Sequence, residues 1–177
     1  MTNRDKLIPT IKPNFFLRVA TPCPEDALLT ISYLRQLSVF KNTTYTVTSD
    51  PDQILHLLYE NKCHIVFGIL DGVPIGMNCV SEAAAVFSGI TILYMEGFYI
   101  EEAYRGMGLG HIFMDYLAKR TLSLGHERLQ WFLMDSNKSG ERFYDSIGGQ
   151  RVHAMSTYRL GKDALRQLAA RFPAPVE

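Results

Sequence analysis

The run Arg105-Gly106-Met107-Gly108-Leu109-Gly110 places glycine at three alternate positions between an aromatic-rich apolar stretch and an amphipathic one. Such a run joins a strand to the start of a helix. Glycines let the backbone bend there and leave no side chains between it and a ligand, while the first helical N–H groups point outward with the positive end of the helix dipole. The chemistry that fits is the binding of a dianionic pyrophosphate. Nucleotide-fold spacings do not fit. His111 stands where a dinucleotide fingerprint starting at Gly106 needs its third glycine, and no G-x-x-x-x-G-K-[ST] occurs in the chain.

Other chemistries have little support. His56, His64, His111, His126 and His153 show neither H-x-x-x-H nor H-E-x-x-H spacing, so no metal site is expected. There is no G-x-S-x-G elbow and no Cys–His arrangement for a covalent acyl-enzyme. Cys23, Cys63 and Cys79 are odd in number and far apart in sequence, which predicts buried reduced thiols and no disulfide framework. Lys plus Arg and Asp plus Glu number 18 each, so composition gives no argument for a nucleic-acid partner or an anionic membrane surface. No window reaches the ~18 uninterrupted apolar residues of a membrane span, and the N-terminal stretch has no continuous apolar core; the expectation is a cytoplasmic protein.

The elements that must hold the glycine turn follow from periodicity. Residues 1–14, with Pro9 and Pro13, read as a loosely ordered arm ahead of a single domain over 15–177. A short strand is predicted over 15–21. A helix starts at Pro24 with apolar Ala27, Leu28, Ile31, Leu34 and Leu37 at helical spacing. The polar stretch 41–49 reads as a loop. Asp50-Pro51-Asp52-Gln53 combines an N-cap, a first-turn proline and a capping-box partner, predicting a helix over 51–61. Residues 64–70 are a strand, Asp71-Gly72 a hairpin turn, and 74–85 the returning strand.

A turn at 86–89 leads to a strand over 91–100, in which Gly97 marks a bulge or the close approach of a ligand. Phe113, Leu117, Thr121 and Leu124, flanked by Ile112 and Tyr116, make the stripe of a helix ending near Gly125. A buried strand over 129–134 is its partner across the crossover. A short helix opens at Asn137, carries Phe143-Tyr144 and closes at Gly148-Gly149. A last strand ends over 157–160, and 163–171 is a helical tail.

The turn matches the [RQ]-x-x-G-x-[GA] signature of the GNAT acyl-CoA N-acyltransferases. Asn137, Phe143-Tyr144 and Gly148-Gly149 resemble the segment that follows it in that superfamily. Within it, YMEGFYIEEAYRGMGLG is most similar to the spermidine/spermine (diamine) N-acetyltransferase branch. The resemblance spans about 15–168. It implies an α/β fold with a central mixed, mostly antiparallel sheet, splayed between its fourth and fifth strands and flanked by helices.

The resemblance further implies that acetyl-CoA is the acyl donor and a small-molecule amine the acceptor, with no metal, no nucleic acid and no membrane, in a homodimer. The coenzyme pyrophosphate would meet the amides of Met107, Gly108, Leu109, Gly110 and His111, with Arg105 and Gly106 shaping the entry. The pantetheine arm would pair with the backbone of Phe98, Tyr99 and Ile100. Asn137 fits a helix cap and also a coenzyme contact.

Tyr144 falls where these enzymes commonly place the acid that protonates the departing thiolate. A phenol of pKa about 10 holds its proton at neutral pH and can donate it. Glu96 is the candidate base: a protonated amine has no free lone pair, and a carboxylate on a half-buried strand can draw the proton off through water. Glu101 and Glu102 read as solvated loop charges, with Glu101 a lesser candidate base. Lys138 and Arg142 read as solvated charges or phosphate contacts. The chain also departs from the diamine branch, because Gly97 replaces an acidic residue and Lys41-Asn42 fills a loop where polycation-binding relatives tend to carry carboxylates. Two other readings remain open: acetylation of a protein N-terminus or lysine, and a non-catalytic acyl-CoA-binding module.

Overall fold

The computed structural model describes residues 6–40, 47–152 and 160–171. These fall into two compact units, Met1–Glu141 and Arg142–Glu177. The first contains a six-stranded sheet in sequential order: β1 (Leu7–Pro9), β2 (Phe15–Val19), β3 (His64–Leu70), β4 (Val73–Ala85), β5 (Ile90–Ile100) and β6 (Leu129–Trp131). Every neighbouring pair is antiparallel except β5 and β6, which run parallel. The helices of this unit are α1 (Pro24–Phe40), α2 (Pro51–Tyr59) and α3 (Leu109–Ser123); α4 (Lys138–Ser146) crosses the boundary, and α5 (Lys162–Ala169) belongs to the second unit.

Local sequence signals account for several of these elements. Asp50 accepts from the Gln53 backbone N–H at 2.9 Å while the Gln53 side chain accepts from the Asp50 N–H at 3.1 Å, completing the capping box. Asp71 and Gly72 both take positive φ, 49° and 83°, which suits a two-residue hairpin joining β3 to β4. The sheet divides the core in two. Ile31, Tyr33, Phe67 and Met77 lie in the cluster under α1 and α2; Phe15, Val66, Leu109 and Phe113 lie in the cluster under α3.

The α1 stripe differs in detail from the expected one: Leu28 is exposed and Thr30 and Tyr33 are buried. At the start of the helix, buried Asp26 accepts from both terminal nitrogens of Arg18 at 2.8 and 2.7 Å and from the Thr21 N–H at 2.8 Å. Burial alone would raise the Asp26 pKa, but the Arg18 guanidinium and the Thr21 N–H outweigh it and hold the carboxyl below the ordinary range. On the other face, His64 Nε2 lies 2.9 Å from the Tyr116 hydroxyl. Burial, aided by the charge of Arg120, pushes the His64 pKa down to about 4, so this imidazole is neutral at pH 7.

Three expectations need correction. Residues 7–9 are not a loose arm but an edge strand, because Leu7, Ile8 and Pro9 find free backbone partners in Arg18, Leu17 and Phe16. The strand expected over 129–134 is only three residues long and half-buried, and Phe132 beyond it is 60% exposed. Leu124 is a helix cap at the surface, not part of the buried stripe. The last strand, ending over 157–160, and the loop beginning Lys41-Asn42 lie outside the described residues.

Candidate active site

The β5–β6 pairing runs only from Leu93↔Leu129 through Tyr94↔Gln130 to Met95↔Trp131. Beyond Met95, β5 continues to Ile100 while β6 has ended. These are the fourth and fifth strands of the sequence reading, renumbered by the addition of β1, and the splay between them is where it was expected. On its other side β5 stays paired with β4, as Phe98↔Asn78, Tyr99↔Met77 and Ile100↔Gly76. The edge of Phe98, Tyr99 and Ile100 beyond the β6 pairing is thus backbone against which an extended ligand can lie as an added strand.

The splay coincides with a bulge. Cys79 faces Gly97 and Val80 faces Met95, so Glu96 is the extra residue with no opposite number on β4. The bulge anticipated from Gly97 is present. Glu96 itself corrects the expectation of half-burial: in the bulge its side chain is exposed. The hydrogen bond between the Cys63 and Cys79 thiols lowers the pKa of Cys63 and, with burial, raises that of Cys79; the Glu96 charge opposes ionisation of both, and both pack into the core cluster under α1. Those cysteines are free and half-buried, not fully buried, and the β3–β4 register brings them together although 16 residues separate them in sequence.

From Ile100 the chain makes a 3-10 turn over Glu102–Tyr104 and enters the glycine run. Gly106 and Gly108 have φ of 76° and 79°, and nothing lies within 4 Å of where a Cβ would stand on either. Gly108 is the N-cap of α3 in the left-handed conformation, with no side-chain cap. A residue bearing Cβ would be strained there, and the open space around it leaves the first helical amides accessible. The turn holds a contact that local sequence could not signal: the Lys12 ammonium donates to the Met107 carbonyl at 3.0 Å. Lys12 is held in turn by Thr10, whose hydroxyl accepts from the Lys12 N–H at 3.2 Å and donates to the Phe15 carbonyl at 2.6 Å.

Arg105 turns away from the glycines. Its Nε donates to the Ile100 carbonyl at 2.8 Å, and its guanidinium lies 4.1 Å from the Phe40 ring centre and 5.4 Å from that of Tyr99. It therefore pins the end of β5 to the end of α1. An open cleft of about 360 Å³ forms there, with Arg35, Gln36, Phe40, Tyr99, Glu102 and Arg105 in its lining. The Tyr99 hydroxyl donates to Gln36 Oε1 at 3.3 Å, and that of buried Tyr33 donates to Glu101 Oε1 at 3.3 Å. Glu101 is thus a partnered carboxylate and not a simple solvated charge.

His111 is exposed in the first turn of α3, its N–H donating to the Gly108 carbonyl at 3.2 Å. Asn137 is a helix cap: its Oδ1 accepts from the Gly140 N–H at 2.9 Å and from the Ser139 hydroxyl at 3.1 Å. Lys138 pairs with Glu141 at 2.8 Å. In the second unit, Gly148 takes φ 84° and the Gly149 N–H closes the helix on the Tyr144 carbonyl at 2.8 Å. Tyr144 packs its ring 5.2 Å from that of Phe143, and burial pushes its pKa up to about 12. Among the described residues no three His, Cys, Asp or Glu side chains gather as a metal site would require, and no helix is long and apolar enough to cross a membrane.

Comparison with known proteins places this geometry. The model of the Acetyltransferase (GNAT) family matches residues 31–148. The chain is 27% identical over 129 residues to a thialysine N-epsilon-acetyltransferase of Caenorhabditis elegans, covering 73% of this chain and 80% of that protein. It is 34% identical over 83 residues to an L-ornithine N5-acetyltransferase of Arabidopsis thaliana, covering 44% of this chain and 36% of that one. Among solved structures, an aminoglycoside acetyltransferase from a soil metagenome superimposes with a TM-score of 0.71 at 14% identity, over 86% of this chain and all of that one. A predicted acetyltransferase from Clostridium acetobutylicum, solved with acetyl-CoA, gives 0.67 at 16% identity over 82% and 96%. With its glycine turn at the head of α3 and its sheet opening beside β5, the chain belongs to the GNAT family of acetyltransferases.

Proposed function

We propose that the protein transfers an acetyl group from acetyl-CoA to a primary amine of a small molecule, by direct attack of the amine on the thioester in a ternary complex. The observation that carries this reading is the continuity of three features in one segment: the stretch of β5 that runs on beyond its pairing with β6, the bulge that exposes Glu96, and the glycine turn at the start of α3. The residues suit the coenzyme. Gly106 and Gly108 leave an open cradle, the first amides of α3 face it, and the Lys12 ammonium adds a positive charge at its rim. Met107 to His111 would hold the pyrophosphate and Phe98 to Ile100 the pantetheine arm. Arg105 would act by fixing the turn and not by touching phosphate. Asn137 would act chiefly as the cap of α4.

Acetyl-CoA supplies an activated acyl carbon; the protein's task is to free the amine lone pair and to protonate the leaving sulfur. Glu96, exposed and reachable by water, is the group we assign to the first task. Tyr144 is assigned to the second, since a phenol held at about 12 keeps its proton throughout the range in which a free amine forms. The thialysine and ornithine enzymes to which the chain is similar act on side-chain amines of amino acids. That supports a small diamine-like acceptor over a protein.

The test is release of free thiol from acetyl-CoA against a panel of amines. Tyr144→Phe should lower kcat by roughly 10²-fold or more, and full kcat for every accepted amine would remove Tyr144 as the acid. Glu96→Gln should shift the ascending limb of the pH–rate profile, and an unchanged profile would exclude it as the base. Tight coenzyme binding with no thiol release for any amine would reduce the protein to a binding module.

A further inference from the structure

Resting on the assignment of Glu96 as the base, we infer that Asn78 is its positioning residue: the buried carboxamide braces the inner face of the β5 bulge and so fixes the outward direction of Glu96. Four polar residues are buried among those described, Asp26, Thr30, Asn78 and Thr121. Asp26 is held by Arg18 and Thr21, while Thr30 and Thr121 each donate at 2.7 Å to a carbonyl one helical turn back. Asn78 is the exception. It is 0% exposed, yet its Oδ1 has no hydrogen-bond partner among the described residues, and its Nδ2 donates at 2.9 Å to Met95 Sδ, a weak acceptor.

The surroundings of Asn78 suit an apolar residue. It stands opposite Val66 on β3 and Phe98 on β5, and both belong to the cluster under α3. Valine at this position would favour the strand, join that cluster and leave no acceptor unsatisfied. A polar group that weakens the core it sits in marks a place where something other than stability requires it.

The register identifies that requirement. Residues directly opposite one another share a face of the sheet, so Phe98, opposite Asn78, and Met95, opposite Val80, both lie on the α3 face of β5. In a regular strand a single residue separates neighbours on one face, but here both Glu96 and Gly97 intervene. Gly97 turns to the other face, against Leu34 and Leu37, and Glu96 is extruded and exposed. From its place beside Phe98, the Asn78 side chain reaches Met95 and so spans the bulge from beneath. An amide N–H bonds to the sulfur in one direction, whereas an aliphatic side chain only packs against it. Holding Met95 beside Phe98 fixes both ends of the bulge, and Glu96 follows Met95 directly in the chain.

The measurement is a double-mutant cycle of Asn78→Val and Glu96→Gln, read as kcat and KM across pH, with Asn78→Leu as a second filling of the site. Each Asn78 variant should unfold at or above the Tm of the parent, because the unpartnered acceptor is gone. Each should lower kcat about tenfold and shift the ascending limb of the pH–rate profile as Glu96→Gln does, while the KM for acetyl-CoA moves less than about twofold. In the Glu96→Gln background, the Asn78 change should lower kcat by less than about a further twofold. Unchanged kcat, a loss of kcat that comes with a lower Tm in both variants, or a loss that multiplies fully with that of Glu96→Gln, overturns the proposal. If the parent transfers no acetyl group, or Glu96→Gln alone changes neither kcat nor the profile, the reading of Glu96 fails separately. Amide hydrogen exchange of the intact protein then decides: Glu96 and Gly97 exchanging at least about tenfold faster in Asn78→Val than in the parent, with Phe67 unchanged, upholds the brace, and equal rates reject it.

Discussion

Lys12 meets the Met107 carbonyl across 95 residues of sequence. Its ammonium has two further protons to donate and stands at the rim of the turn that faces the coenzyme phosphates in our reading. Lys12→Met should therefore raise the dissociation constant for acetyl-CoA about five- to tenfold, with a shallower salt dependence than the parent, while Lys12→Arg keeps most of the affinity. Titration calorimetry at two salt concentrations checks this; equal affinities for parent and Lys12→Met would confine the lysine to holding the loop. Arg105 shows the opposite case. It lies inside the signature motif, yet its guanidinium serves Ile100 and Phe40. Motif spacing located Arg105 in the turn but not where its side chain goes, and it was silent on Lys12, because side-chain direction and long-range contacts leave no periodic trace.

At the scale of elements, the parts read best from sequence were those set by a few adjacent residues. The Asp50–Gln53 capping box and the Asp71-Gly72 turn are examples, as is the stripe of Phe113, Leu117 and Thr121 that seats α3. Strand β1 was missed because its stability comes from pairing with β2 and not from its own composition. The bulge at Glu96 was half legible: Gly97 signalled it, but only the register with Cys79 and Val80 shows which residue is extruded. The end of β5 depends on a close approach. A Cβ on Gly76 would stand 2.5 Å from the Tyr99 carbonyl, a backbone atom that cannot yield without moving the strand. Gly76→Ala should cost roughly 1–3 kcal/mol, lowering Tm by about 5 °C. It should also raise the KM for acetyl-CoA, because Tyr99 borders the edge assigned to the pantetheine arm; thermal unfolding and initial rates report the two effects.

For the whole molecule, acid sensitivity follows from buried groups on both faces of the sheet. The folded pKa of His64, about 4, lies below the ordinary value of about 6.5, so folding favours its neutral form. That stability is complete above pH about 6.5 and is lost progressively as the pH falls from there through about 4, a difference of about 3 kcal/mol. Asp26, also depressed, adds a loss only at still lower pH, as it falls through a value below the usual carboxylate range. Denaturant unfolding at pH 8, 5 and 4 should show about two-thirds of this decline between the first two, and His64→Gln should flatten it. A profile equally steep in the variant would assign the decline to other groups.

The place of β1 and β2 in the sheet bears on how the protein can be divided. Family likeness begins at residue 31, inside α1, yet two strands, Lys12 and the Arg18 partner of Asp26 all precede it. A chain cut to the matched residues would bare the whole hydrogen-bonding edge of β3, whose five central residues are buried and apolar or glycine. Such an edge invites pairing between molecules. The first thirty residues thus act as the sheet's guard against self-association.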